Sequence, residues 1–465
     1  RERLLKDAPG LVEPLSFLVP VYKNRGPGKW ALEAGLSIYD LIAHKRQHRF
    51  YNTGAFFKLA PYIDQKNLLG GFQFYDAQVD DARLVLRLIN ESIEFGGHAL
   101  NYTRATAIDR DADGNVKAVT VEDDDGGTVR TLGTPLVINA TGAWAEKLHP
   151  SPDPEKHLRP LRGTHLIFPE RVLPVDQAIS FIHPADLRAI FIIPWEGVVL
   201  VGTTDLDHEE DLDLEPFTTA EEILYLMDGL KTLFPSFHIT FKDCLSTIAG
   251  IRPVLSKGDR EPSEESREHM VWKDKGLITI TGGKLTTFRK LALDALKAAK
   301  AYLPPVKLPK DSDPVFSPLP DMPGQSFGLS RAAWRRLSGR YGMMAQELVR
   351  MSGPDLLKTI PGTNTLWAEL AFAAKNEKVR HLTDLLLRRV RIGLLTPNYG
   401  KAYLGRIKKM CRPYLGWSNK RWKKEVNQYL AQCRHAHGLP LGMRVTFVEQ
   451  APSPLADFKG FCAYY

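Results

Sequence analysis

No apolar run in this 465-residue sequence approaches the ~20 residues that a membrane-spanning helix needs, so no such helix is predicted. Cysteine is scarce. Cys244, Cys411, Cys433 and Cys462 form no C-x-x-C pair and no Cys/His cluster with zinc spacing. Free thiols in a reducing compartment and no metal site are therefore expected. No D-x-[DN]-x-[DN]-G loop ends in the glutamate that a calcium hand requires. No G-x-G-x-x-G opens the chain, and no internal repeat is found. The first residue is Arg1 and no signal peptide follows, so the sequence reads as a fragment of a longer protein.

The length suits two or three domains, and 43% apolar with 25% charged residues suits a soluble globular protein. Charge is uneven. Residues 301–465 carry 26 Lys+Arg against 11 Asp+Glu, whereas residues 1–300 carry 36 against 43. A basic C-terminal third on an acidic body points to an anionic partner surface, either nucleic acid or a bilayer.

Two glycine turns stand out. Leu277–Thr281 reads as a short buried strand that enters a helix through Gly282 and Gly283, followed by Lys284, Leu285, Thr286 and Thr287. Backbone N–H groups, a helix N-terminus, a lysine and two hydroxyls suit an electron-rich or phosphorylated cofactor. Leu136–Asn139 reads as a second buried strand, ending in Ala140-Thr141-Gly142-Ala143-Trp144. Each turn alone is equally an ordinary strand–helix connection.

Between the turns, residues 159–205 form the densest strand region, in which 162–169, 188–195 and 197–205 read as an antiparallel sheet suited to flooring a pocket; 246–255 reads as a later buried strand. Thr219 and Glu222 form a capping box for a helix to about Phe234. Arg252 sits in an otherwise apolar strand, where a guanidinium is costly unless it meets an anion or an ion-pair partner. Residues 1–66 read as short helical pieces broken by Pro and Gly, including a helix over 30–44. Residues 70–81 read as a strand whose Asp80 or Asp81 caps a helix over Ala82–Phe95. Beyond a Pro-rich linker at 303–324, helices are expected over Arg331–Tyr341, Met344–Met351, Leu366–Ala374, Lys378–Ile392, Tyr403–Cys411 and Lys420–Ala436.

Residues 401–424 hold nine Lys+Arg and no acid, interleaved with Tyr403, Leu404, Ile407, Met410, Tyr414, Leu415, Trp417 and Trp422. Basic residues beside aromatics suit an anionic membrane surface. A solvated basic face covering that domain's own core has the same composition.

Taken in order, "YDAQVDDARLV" (75–85), "INATGAW" (138–144), "PLRGTHLIF", "FIIPWEGVVLVGTTD", "AGIRPVL", "SREH" and "TITGGKLTTFRKLA" resemble the FAD-dependent, quinone-linked glycerol-3-phosphate dehydrogenases over residues 1–435. The resemblance implies an α/β + α fold. A discontinuous, incomplete FAD-binding domain (1–150 and 270–302) would hold an inserted antiparallel-sheet substrate domain (151–269). A C-terminal helical cap (325–438) and an irregular tail (439–465) would follow the linker. The family's opening βαβ unit with G-x-G-x-x-G, and its HGG-x-RYL loop, have no counterpart here. By this reading the chain starts just after them and alone should bind FAD poorly.

The implied reaction oxidises sn-glycerol 3-phosphate to dihydroxyacetone phosphate, with hydride transfer from C2 to flavin N5 and electrons passed to a membrane quinone. His165 is implied as the base and Arg252 as the catalytic, substrate-side cation. Arg267 is implied as the phosphate clamp and Thr204, with Asp205, as an orderer of the substrate pocket. Ala140, Thr141, Gly142, Trp144, Gly282, Gly283, Lys284, Leu285, Thr286 and Thr287 are implied as the FAD contacts, with Lys284 at flavin N1/O2. The partners implied are sn-glycerol 3-phosphate, a quinone and an anionic membrane surface reached through the basic C-terminal domain. The homodimer is left open as an assembly state, and no nucleic acid is expected. The implied location is peripheral, on the cytoplasmic side of the inner membrane. Two readings compete: a glycerol-phosphate oxidase that delivers electrons to oxygen, and a catalytically dead remnant kept as an interaction module.

Overall fold

The computed structural model describes residues 1–42, 47–152, 158–256, 268–310, 312–322 and 328–440. The N-terminal part runs α1 (Glu2–Asp7), β1 (Val12–Tyr22), α2 (Lys29–Ile42), β2 (Arg49–Asn52), α3 (Thr53–Leu59), β3 (Leu68–Val79) and α4 (Asp81–Glu94). A hairpin layer follows: β4 (Thr103–Arg110), β5 (Val116–Asp123) and β6 (Val129–Gly133). Then come β7 (Val137–Asn139), α5 (Ala145–Leu148), β8 (Leu158–Pro169), β9 (Ala178–Ile182), β10 (Ala189–Trp195), β11 (Val198–Gly202) and β12 (Leu206–Asp207). The middle closes with α6 (Ala220–Leu233), β13 (Ser246–Leu255), β14 (His269–Asp274), β15 (Leu277–Gly282) and α7 (Phe288–Ala299). The C-terminal domain holds α8 (Arg331–Tyr341), α9 (Met344–Arg350), α10 (Trp367–Asn376), α11 (Ile392–Leu395), α12 (Leu404–Leu415) and α13 (Asn419–Ala436).

The main sheet has the order β12-β8-β11-β10-β9-β1-β3-β2, with β13 on the other side of β8. A second sheet has the order β14-β15-β7, with β15 and β7 parallel. Helix α6 lies under the main sheet. Its Ile223, Leu226 and Leu230 pack with Leu166 and Phe168 of β8 in one of the two large cores. The capping box is present: Glu222 N–H donates to Thr219 Oγ1, and Thr219 N–H donates to the Glu222 carboxylate.

Three features depart from the sequence reading. First, β1 is an eleven-residue strand where short helical pieces are expected. Pro14 and Pro20 read as breakers, but they flank Phe17 and Leu18, the two residues paired with β9. A proline lacks a donor, and here it falls outside that doubly paired stretch. Second, β1, β2 and β3 lie within 1–150 yet belong to the main sheet rather than to the sheet that bears the glycine turns. Third, the helix expected over Lys378–Ile392 is a π-helical segment, Asp384–Arg389, followed by α11. The Asp384 carboxylate accepts from the N–H groups of Arg380 and His381, so the helical segment starts late.

The C-terminal domain packs on the face of the main sheet that carries Ile167, Trp195 and Val198. In 401–424, Leu404, Ile407, Trp417 and Trp422 are buried in that domain's own core, and Tyr414 is the one exposed large apolar residue. Of the aromatics expected at a membrane surface, Trp417 and Trp422 are core residues, Tyr403 is half-buried and only Tyr414 is exposed.

Buried ion pairs tie this domain to α4. Arg83 donates through both terminal nitrogens to Glu377, at 2.9 and 3.0 Å, and both side chains are buried. Asp80 caps α4 by accepting from Arg83 N–H at 3.2 Å. Burial would push its pKa up, but Arg391 and Arg340 hold it below the ordinary aspartate range. Glu377→Ala strands a buried guanidinium, so we expect a loss of about 3–5 kcal/mol in urea denaturation. A change under about 1 kcal/mol would show that the pair does not anchor the domain.

Candidate active site

Strand β8 carries the site because two ladders fix its register. His165 lies opposite Gly202 of β11 and Ile248 of β13, and Leu161 lies opposite Arg252. Side chains alternate along a strand and paired residues share a face. His165, Gly163 and Arg252 therefore occupy one face, while Thr164, Leu166 and Phe168 turn towards α6.

Two strand glycines act as sockets. A Cβ on Gly163 would stand 2.4 Å from Nη2 of Arg252, and a Cβ on Gly202 would stand 2.5 Å from Cδ2 of His165. Any side chain at either position would displace the functional group above it.

Arg252 is a half-buried guanidinium with two defined partners. Nη1 donates to Asp205 Oδ1 at 3.0 Å and Nη2 to Thr203 Oγ1 at 3.2 Å, and about a third of the side chain (32%) stays exposed. Asp205 is buried, and its backbone carbonyl accepts from both terminal nitrogens of Arg188, at 3.1 and 3.2 Å. Arg188 Nη2 also stands 3.5 Å from Asp205 Oδ2, so both arginines reach the same acid. The ion-pair reading of Arg252 is met by Asp205.

His165 is pushed down to a pKa of about 4, first by burial and then by the Arg252 charge, with Asp81 opposing. Its imidazole is therefore neutral near pH 7 and able to accept a proton. Thr204 is not at the site surface. Its buried hydroxyl donates to Glu222 Oε1 at 2.7 Å and accepts from Thr164 N–H at 3.0 Å. It locks β8 onto α6 from below, an ordering position. Arg267 lies outside the described residues.

The two glycine turns meet beside this face. Thr281 Oγ1 donates to the Gly142 carbonyl at 3.1 Å, and the turn at Gly142–Trp144 packs against β13. Gly282 and Gly283 both take positive φ (78° and 80°), which turns the backbone sharply into α7. Ala140, Thr141, Trp144, Leu285, Thr286 and Thr287 are exposed around the junction, and Lys284 is half-buried. Some of their polar atoms are committed. Trp144 Nε1 donates to Asp213 at 2.8 Å, Thr141 Oγ1 to Asn139 at 2.7 Å and Thr287 Oγ1 to the Lys284 carbonyl at 2.9 Å. A Cβ on Gly142 would meet nothing within 4 Å, so this backbone faces open space. These residues fit one flank of a flavin. The sequence has no G-x-G-x-x-G turn to hold a pyrophosphate.

The FAD dependent oxidoreductase family matches residues 2–289, more than half the chain. The chain belongs to this family. Its cofactor is FAD. The C-terminal domain of alpha-glycerophosphate oxidase matches residues 317–422. A Mycobacterium tuberculosis protein named glycerol-3-phosphate dehydrogenase 2 is 31% identical over 447 residues, covering 91% of this chain and 75% of its own. A Staphylococcus aureus aerobic glycerol-3-phosphate dehydrogenase is 30% identical over 419 residues, covering 84% of this chain and 74% of its own. The chain is thus an enzyme of the glycerol-3-phosphate dehydrogenase type. The structure of the Bacillus halodurans glycerol-3-phosphate dehydrogenase complexed with FAD superposes with a TM-score of 0.72. At 24% identity it covers 92% of this chain and 84% of its own, and it establishes the shared fold.

The socket glycines were overlooked in the sequence, although a glycine inside a strand pattern, as in "RGTH" and "VGTTD", is a signal of close approach. The Arg188–Asp205–Arg252 arrangement had no such signal, because its members come from three segments. The Arg252 charge helps hold His165 neutral, so Arg252→Gln should raise the His165 titration midpoint from about 4 towards the ordinary value. NMR of the imidazole reads this directly, and an unchanged midpoint would show that Arg252 does not act on His165.

Proposed function

We propose that this enzyme oxidises sn-glycerol 3-phosphate to dihydroxyacetone phosphate. The observation that carries the reading is a neutral, half-buried His165 on the same sheet face as the anchored Arg252. When bound, FAD supplies the hydride acceptor. His165 takes the proton of the substrate C2 hydroxyl, which a neutral imidazole can do and an imidazolium cannot. Arg252 steadies the negative charge that grows on that oxygen, and its fixed edge means little reorganisation is needed. Arg267 clamps the phosphate dianion as a bidentate fork. Lys284 is the cation assigned here to favour a reduced, anionic flavin. Asp205 and Thr204 position these groups rather than touching substrate.

A membrane quinone is the proposed electron acceptor, with the protein held peripherally at the bilayer. The oxidase reading keeps one observation in its favour, the family matched by the C-terminal domain. Stoichiometric hydrogen peroxide from glycerol 3-phosphate would decide for oxygen.

In stopped-flow mixing of FAD-loaded protein with glycerol 3-phosphate, His165→Ala should slow flavin bleaching about 100-fold or more. Parent-like bleaching would remove His165 as the base. Arg267→Ala should raise KM by about tenfold or more with the flavin spectrum unchanged, as expected when a charge-assisted contact is lost. An unaltered KM would sink the clamp.

A further inference from the structure

The capping carboxylate of α6 does more than cap its helix. Glu222 is buried, and its two oxygens have different partners. Oε2 accepts from Thr219 N–H at 3.0 Å and completes the capping box. Oε1 points into the sheet and accepts from the Thr204 hydroxyl at 2.7 Å. A capping box uses one of these oxygens, and burying the other is costly unless it too meets a donor. Arg162, on the same face of β8 as Thr164, stands 3.4 Å from Oε2 and offsets the buried charge.

Oε1 holds the centre of a three-residue segment that follows β11. Thr204 turns down to Glu222. Thr203 and Asp205, on either side of it, turn up to Arg252, which donates to Thr203 Oγ1 at 3.2 Å and to Asp205 Oδ1 at 3.0 Å. Thr204 also ties the segment to β8. Its N–H donates to the Thr164 carbonyl at 3.4 Å, and its hydroxyl accepts from Thr164 N–H at 3.0 Å. Thr164 lies between Gly163, the socket of Arg252, and His165. One hydroxyl is thus pinned to a helix fixed in the core, and its two neighbours present the acceptors that orient the guanidinium. Without Oε1, the backbone that carries Thr203 and Asp205 loses its tether to α6.

We propose that Glu222 is a positioning residue for the oxidation: through Thr204 it holds Thr203 and Asp205 where they orient the Arg252 fork. It acts from the side of the sheet away from His165. The proposal rests on the catalytic reading of Arg252 given above.

Thr204→Val and Glu222→Gln in the full chain test it. Thr204→Ser is the conservative variant, and Glu221→Gln, exposed in the same first turn of α6, is the control. NMR of the His165 imidazole reads the placement of Arg252 whether or not the enzyme turns over. Thr204→Val and Glu222→Gln should each move the His165 midpoint up from about 4, while Thr204→Ser and Glu221→Gln leave it in place. In the FAD-loaded enzyme with a soluble dye as acceptor, the first two should lower kcat about tenfold or more and change KM less than about twofold, because a displaced cation is missed mainly in the transition state. Thr204→Ser should retain most of the parent kcat. Folded variants, checked by urea denaturation, with a parent-like midpoint would overturn the positioning role. So would a loss of kcat that Glu221→Gln shares, since that would trace to the helix end and not to Thr204. If Glu222→Gln does not fold, Thr204→Val, which leaves the capping box intact, decides alone. A raised midpoint with parent-like kcat would overturn the catalytic reading of Arg252 and leave Glu222 as the residue that positions it, so the two readings fail separately.

Discussion

The site depends on keeping a guanidinium inside a β-sheet. Such a charge is expensive to bury unless it is anchored by acceptors that hold it in place. The fold resolves this by sharing. Asp205 holds one edge of Arg252 and, through its backbone, the fork of Arg188. Thr203 takes a second nitrogen, and Gly163 leaves the space in which the plane lies. From that placement the rest follows. Burial, and after it the anchored cation, lowers the pKa of His165, the neighbouring strand presents Gly202 beneath its ring, and the glycine turn at Gly142 closes on β13 from the side.

Much of this was legible in the sequence because it is local. The strand at 246–255 with Arg252 inside it, the capping box of α6, and most helices of the C-terminal domain each follow from short-range pattern and cap chemistry. What was missed is non-local. The path of β1 is set by β3, which follows more than forty residues later and pairs with it along its whole length, so the prolines within β1 misled. Trp417 and Trp422 looked superficial beside nine basic residues, yet both are buried in the core. Thr204 looked like a pocket hydroxyl because the partner that claims it, Glu222, comes from another helix.

The connections between the body and the C-terminal domain have a further consequence. Arg83 meets Glu377, Arg335 meets Glu13, and Phe316 of the Pro-rich segment is buried with Ala8, Leu11 and Leu84. Contacts of this kind run across the chain break that a protease would make in that segment. The two halves are joined by their surfaces as well as by their peptide bonds, so a nicked chain should stay assembled. Two separately synthesised pieces should find each other and rebuild the whole.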